Sequence, residues 1–250
     1  ACKWFLNKNR SSLGYYLTTI VSLLLLTLAV SAENLLALFI CLELSFALNI
    51  CMIRFNPFDD ISTPVVRRFI AGYLLMSLLF IGGLAWFWHL GIPFEYQDAY
   101  RWLDALNKSD WQHYLAAVLI LVPLLYMLGI APFHFWFADV QGTAILPVST
   151  YLTFIPPLAY VAVLINVLSN IFFPLYAELH PFIVGCAMLS VIFGVIGANS
   201  ETNLRRLFAY VSLYNLGIVL ICVSYLNDNG LLSSFVCLLV YLCLLYTSDA

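Results

Sequence analysis

Between Glu33 and Arg54 the chain carries a single charged residue, Glu43, near the middle of an apolar run. A carboxyl inside hydrocarbon is costly unless it is protonated, paired or wetted, so an acid kept there points to an ion or proton pathway. The plainer alternative is a protonated Glu43 bonded to a neighbouring helix, with Asn49 or a serine as partner. A second constellation is Leu128-Gly129-Ile130-Ala131-Pro132-Phe133-His134-Phe135-Trp136. Pro132 lacks a backbone donor and clashes with the preceding turn, so with Gly129 it predicts an interrupted helix between Met127 and Pro132. His134, beside that break, titrates near neutrality and suits a proton relay, or equally an interfacial residue bonded to backbone. Hydroxyls at Tyr126, Tyr160 and Tyr210 could carry a wet path onward from Glu43. Pro156-Pro157 mark either a second break or a kink for packing, and the two carbonyls they leave without donors need water or a neighbouring helix. Trp86, Trp88, Trp102, Trp111 and Trp136 read as headgroup-level anchors, and Arg67-Arg68 and Arg205-Arg206 as anchors of the same kind.

Other chemistry is missing from the pattern. There is no glycine-rich phosphate loop, no Ser/His/Asp set and no haem or iron-sulfur spacing. The seven cysteines form no CxxC or Cys/His cluster and read as small buried hydrophobes, so no catalytic residue, metal site or redox cofactor is expected on the chain.

The elements that must position these residues follow from composition. The 250 residues are 64% hydrophobic and 9% charged, with mean hydropathy +0.98, where soluble domains carry roughly a quarter charged positions. Cutting the chain at its charges gives eight apolar spans, about 14–32, 34–53, 69–90, 113–134, 147–168, 181–199, 207–226 and 230–248. Consecutive apolar positions such as Leu23-Leu24-Leu25-Leu26 exclude the alternating pattern of a barrel. The expected fold is therefore an all-α polytopic membrane protein, a single transmembrane domain over 1–250. A net charge of −3 without a basic run excludes nucleic acid as a partner. With eight spans, Lys3, Lys8, Arg10, Arg54, Arg67, Arg68, Arg205 and Arg206 share the side of the N-terminus, against Arg101 and Lys108 opposite. That asymmetry predicts both termini in a cytoplasm- or matrix-like compartment and the 91–112 loop outside. Ala1 and a short basic start leave no targeting signal to read.

Three ordered strings carry a family resemblance: Ser31-Ala32-Glu33-Asn34-Leu35-Leu36-Ala37-Leu38-Phe39 with Leu42-Glu43-Leu44-Ser45; Gly129 to Trp136 with Asp139, Gly142 and Pro147-Val148-Ser149-Thr150; and Glu201-Thr202-Asn203-Leu204-Arg205-Arg206-Leu207-Phe208-Ala209-Tyr210 with Gly217. Together they resemble NADH dehydrogenase subunit 2, or subunit N, an antiporter-like membrane subunit of respiratory complex I. The resemblance covers roughly residues 14–248 and puts Glu43 at the family's essential membrane glutamate.

The resemblance implies that the spans correspond to family helices four to eleven, with one broken helix. Residues 14–168 would form a first five-helix repeat and 181–248 an incomplete second one, in a shortened or split version of the subunit. It implies a non-redox, proton-translocating subunit of NADH:ubiquinone oxidoreductase in the mitochondrial inner membrane, a bacterial inner membrane being the alternative. NADH, FMN, iron-sulfur clusters and ubiquinone are then expected on partner subunits. Partners would be other membrane-arm subunits, lipids and a separate chain supplying the missing C-terminal helices, docking on small residues at Gly185, Gly194, Gly197, Ser212, Gly217, Ser233 and Ser234. The family's two lysine positions fall on Met127 and Pro157, and a histidine position on Asn215, so the chain departs from the pattern where cations are expected. A multisubunit cation/proton antiporter subunit and a non-pumping structural subunit are the competing readings.

Overall fold

The structure, a computed structural model, describes residues 11–53, 59–105, 111–144 and 146–249, with side chains at 14–53, 64–105, 111–144 and 147–243. Lys3, Lys8, Arg10, Arg54 and Lys108 lie outside the described residues. Apolar side chains on every face leave a segment no wet side, and helix pairs the backbone groups within the segment. Among the described residues the chain forms ten α-helices and one 3-10 helix, and the extended pairing is an isolated antiparallel bridge between Asn34 and Glu95.

The helices are α1 (Ser11–Val30), α2 (Leu35–Ile53), α3 (Asp59–His89), α4 (Tyr96–Asp104), α5 (Trp111–Leu128), α6 (Phe135–Thr143), α7 (Leu146–Asn170), α8 (Tyr176–Ser200), α9 (Leu204–Val223) and α10 (Asp228–Asp249). The 3-10 turn Phe173–Leu175 leads into α8. Six helical segments are long and apolar enough to cross a membrane: Leu35–Ile53, Pro64–His89, Trp111–Leu128, Pro147–Asn170, Phe173–Ser200 and Leu204–Val223. The apolar parts described for α1 and α10, Gly14–Val30 and Asp228–Cys243, are shorter.

The span over 113–134 stops at Leu128, at the interruption read from Gly129 and Pro132, and a separate helix, α6, follows. Other features differ from the sequence reading, for identifiable causes. The 91–112 loop contains the amphipathic α4, whose Tyr96, Ala99 and Leu103 bury one face. Of the two readings of Pro156 and Pro157, the break is absent, for α7 runs without interruption from Leu146 to Asn170. Pro157 leaves the Thr153 carbonyl without its usual donor, and the buried Tyr241 hydroxyl of α10 donates to that carbonyl at 2.7 Å. A side chain from a neighbouring helix thus replaces the missing backbone bond.

Helix α7 is the hub, touching α1, α2, α4, α5, α6, α9 and α10. Its Tyr160, Val163, Leu164, Val167 and Leu168 are almost wholly buried. The tightest pair is α8 with α9, where the small residues expected to receive another chain are mostly used internally. Gly194 lies under Tyr214, Gly197 under the Tyr210 ring, and Gly217 against Ala187, Ser190 and Val191. Ser212 and Ser234 are fully buried, while Gly185 faces open space. The cysteines depart from the sequence reading too: Cys186 is buried, but Cys51 and Cys243 are exposed.

Replacing Tyr241 by Phe should orphan the Thr153 carbonyl and cost about 1–3 kcal/mol. A thermal midpoint equal to that of the unsubstituted protein would show that the tie contributes nothing.

Candidate functional site: a membrane carboxyl and a broken helix

Glu43 sits on α2, half-buried, facing α3. Tyr73 and Ser77 are four residues apart and so lie on one face of α3. The Ser77 hydroxyl is 2.8 and 2.9 Å from the two carboxylate oxygens, and the Tyr73 hydroxyl donates to Oε2 in a short contact. The partner of Glu43 is therefore Ser77 with Tyr73, and Asn49 is not bonded to it. Phe46, one turn along α2, stacks on Tyr73 with ring centroids 4.6 Å apart. Phe69, Tyr126 and Trp136 continue this aromatic wall.

Beyond Tyr73 the polar groups continue into the bundle. Tyr160 of α7 is fully buried among Tyr73, Ser45, Asn49 and Tyr151. Tyr151 in turn meets the buried Ser22 of α1 in a short hydroxyl contact. Tyr160 Oη and Asn49 Oδ1 have no protein hydrogen-bond partner among the described residues. Buried groups of this kind are ordinarily served by ordered water.

The broken helix is built from backbone chemistry. Gly129 has φ +73°, a left-handed conformation that glycine adopts without penalty, and its N–H bonds the Tyr126 carbonyl at 2.9 Å. Ile130 N–H reaches the Leu125 carbonyl at 3.0 Å, which completes a Schellman ending for α5. Trp136 Nε1 donates to the Tyr126 carbonyl at 3.0 Å, and Ala131 N–H donates to the buried Ser190 hydroxyl of α8 at 2.9 Å. Trp136 is thus a clasp across the break, a role its reading as an anchor did not include, whereas Trp88 and Trp111 are exposed.

One end of α6 is fixed by charge. Asp139 meets Arg206 of α9 at 3.3 Å and Arg68 of α3 at 3.5 Å, and Arg206 also meets Glu201 at 3.7 Å. Gly142 gives the Arg206 side chain room: a Cβ there would lie 2.9 Å from it. Arg205 Nη1 donates at 3.1 Å to the Ala144 carbonyl, placing a cation at the C-terminal end of α6. Arg68, Arg205 and Arg206 therefore have specific protein partners, beyond the anchoring role read from the sequence.

The remaining candidates make their contacts in other clusters. Tyr126 donates to the Phe69 carbonyl at 3.3 Å, and its own carbonyl holds the break. His134 is buried and stacked between Phe135 and Phe193, its Nδ1 without a protein partner among the described residues. Tyr210 packs on Gly197 and the Phe137 group, next to the Asp139 ion pairs. Met127 and Pro157 are buried and bring no cation to the interior, while Asn215 bonds back to the Val211 carbonyl of its own helix at 2.9 Å. Tyr73, Ser190 and the Asp139 ion pairs were not anticipated, and Ser77 is the serine partner of Glu43 that the sequence left unnumbered. The signal for Tyr73 and Ser77 was their spacing of four on an otherwise apolar helix.

Residues 32–247 match the model of the family described as NADH:quinone oxidoreductase/Mrp antiporter, transmembrane. The chain belongs to that family. Subunit N of the NADH-quinone oxidoreductase of Rickettsia bellii is 32% identical over 215 residues, 85% of this chain and 46% of the relative. The subunit N of Hirschia baltica is 30% identical over 213 residues, covering 84% and 43%. The chain thus spans less than half the length of these relatives. In fold it resembles a chain of the Mrp complex from Dietzia sp. DQ12-45-1b, with TM-score 0.77 at 18% identity over 86% of this chain and 40% of that one. It also resembles a chain of respiratory complex I from Thermus thermophilus, with TM-score 0.73 at 22% identity over 92% and 51%.

Replacing Ser190 by Ala should leave the Ala131 N–H without an acceptor and cost about 1–3 kcal/mol, with Thr restoring most of it. Equal thermal midpoints for the three proteins would show that the clasp is not needed.

Proposed function

We propose that this chain is a non-redox, membrane-arm subunit of a proton-pumping NADH:quinone oxidoreductase. In this reading Glu43, Tyr73 and Ser77 form an acid station on a proton path through the bundle. The observation that carries it is the Glu43 carboxyl held by Tyr73 and Ser77, with the buried polar groups of Tyr160, Asn49, Tyr151 and Ser22 farther into an otherwise apolar interior. A carboxyl whose oxygens accept from two hydroxyl donors is positioned to take up a proton and return it along the same bonds. The Glu33 to Ser45 string and the 30–32% identity to subunit N relatives support this over a cation/proton antiporter, since the likeness to the Mrp structure is one of fold alone.

The finer parts of the reading rest on the same ground. All eight apolar spans cross the membrane, α1 and α10 included, with the α4 end of the bundle outside and both termini inside. Residues 14–168 form one five-helix repeat and 181–248 the start of a second, and helices supplied by a separate chain complete it. The membrane is the mitochondrial inner membrane, although the relatives named above are bacterial. NADH, FMN, iron-sulfur clusters and quinone are handled by partner subunits.

The test is Glu43→Gln in the assembled complex, with NADH oxidation and proton translocation measured on the same vesicles. The expected result is near-normal assembly with fewer protons moved per electron pair. An unchanged ratio would make Glu43 a packing residue and the subunit a scaffold. Measured sodium-driven proton exchange by the purified protein would favour the antiporter reading instead.

A further inference from the structure

Two cavities meet at the α4 end of the bundle and share Val30 and Asn166 in their walls. The first, 590 Å³, is an apolar cleft between α7 and α10 whose lining includes Leu158, Val161, Ile165, Phe235 and Leu239. Its α7 wall from Leu158 to Ser169 rises about 17 Å, at 1.5 Å per residue. That is close to half of the ~30 Å hydrocarbon core, the depth of one leaflet. The second, 650 Å³, is a polar mouth whose lining includes Glu33, Glu95, Asp98, Asn166 and Asn170, with no lysine or arginine in its wall among the described residues.

The mouth is held in place by backbone bonds. Tyr96 N–H donates to the Glu33 carbonyl at 3.0 Å and Leu35 N–H to the Phe94 carbonyl at 2.9 Å, which fastens the α1–α2 connection to the start of α4. Glu33 and Glu95 are thereby fixed on facing segments. Tyr96, also in the wall, is 4% exposed and carries a hydroxyl without a protein partner among the described residues. Asn166 Nδ2 bonds the Val30 carbonyl at 3.1 Å, fixing an amide at the border between the polar and apolar parts. Among the described residues the cation paired with this mouth is Arg101, 3.5 Å from Asp98, and both side chains are at least half exposed, so this pair is weak.

We propose that the two cavities together bind one phospholipid whose headgroup carries a primary amine. Its acyl chains fill the cleft between α7 and α10, and its ammonium donates to the carboxylates of Glu33 and Glu95. The choice of headgroup follows from donors and charge. A primary ammonium offers N–H groups that carboxylates accept strongly. A quaternary ammonium offers none and is recognised by aromatic faces, whereas the aromatic residue of this wall is buried. A net anionic headgroup meets three carboxylates.

The experiment uses the native complex, stripped of lipid in detergent and offered ethanolamine-, choline- or glycerol-headed phospholipids with identical acyl chains. Bound lipid is counted by native mass spectrometry. The expected result is retention of the ethanolamine lipid roughly tenfold above the others, one charge-assisted contact's worth. The Glu33→Gln/Glu95→Gln variant should abolish the preference, and Ala162→Trp, which fills the cleft from its own wall, should lower retention of all three lipids. Equal retention of the three headgroups would overturn the proposal. So would stabilisation of the complex by free ethanolamine to the same extent as by the lipid, or density for a protein helix in the cleft between α7 and α10.

Discussion

In hydrocarbon every backbone N–H and C=O must find a partner inside the protein, and the broken helix is the hardest place to meet that demand. Between Leu128 and Phe135 the regular ladder stops, so the chain has to supply substitutes one by one. Gly129 folds the end of α5 back on itself, the Trp136 indole takes up the second lone pair of the Tyr126 carbonyl, and Ser190 reaches in from α8. Each substitute fixes an element. Trp136 locks α6 to α5, and Ser190 ties α8 to the break while its own Cβ also lies against Gly217 of α9. Asp139 then ties α6 to α3 and α9 from the other end.

The Glu43 region answers the same demand differently. A carboxyl on a lipid-solvated helix is satisfied by two hydroxyls from a single neighbouring helix, and those hydroxyls lead inward toward α7. The α7 prolines belong to the same economy of partners, since a tyrosine from α10 answers the carbonyl that Pro157 leaves open. Polar side chains in this protein are placed mainly where backbone or carboxyl groups need them, which is why so many of them are tyrosine and serine.

Much of the architecture was legible. Charge spacing alone located the apolar segments, because charges are too expensive to scatter through hydrocarbon. Gly129 with Pro132 marked the interruption, since those residue types disfavour a continuing helix. Asn34, Asn203 and Asn227 begin helices by accepting from the N–H two or three residues on, a local signal that went unread. For Pro156 and Pro157 the sequence left a break and a packing kink both open, because the group that compensates, Tyr241, lies far along the chain. Asp139 with Arg68 and Arg206 was hidden likewise, as pairs between distant segments leave no mark at short range. The clasp made by Trp136 was missed because a tryptophan near a span end has the same local pattern whether or not its indole bonds the backbone of a neighbouring helix.

The interruption between α5 and α6 also has an electrical consequence. Aligned peptide dipoles leave roughly half a negative charge at a helix C-terminus and half a positive charge at an N-terminus. Ending α5 at Leu128 and restarting at Phe135 therefore splits one long dipole in two and sets a negative pole opposite a positive one inside the bundle. His134 lies between them, as the residue at which α6 begins. In a medium of low permittivity such poles are poorly screened. The chain thus builds a fixed local field into its interior from main-chain atoms alone, one that no side-chain substitution short of repairing the helix would remove.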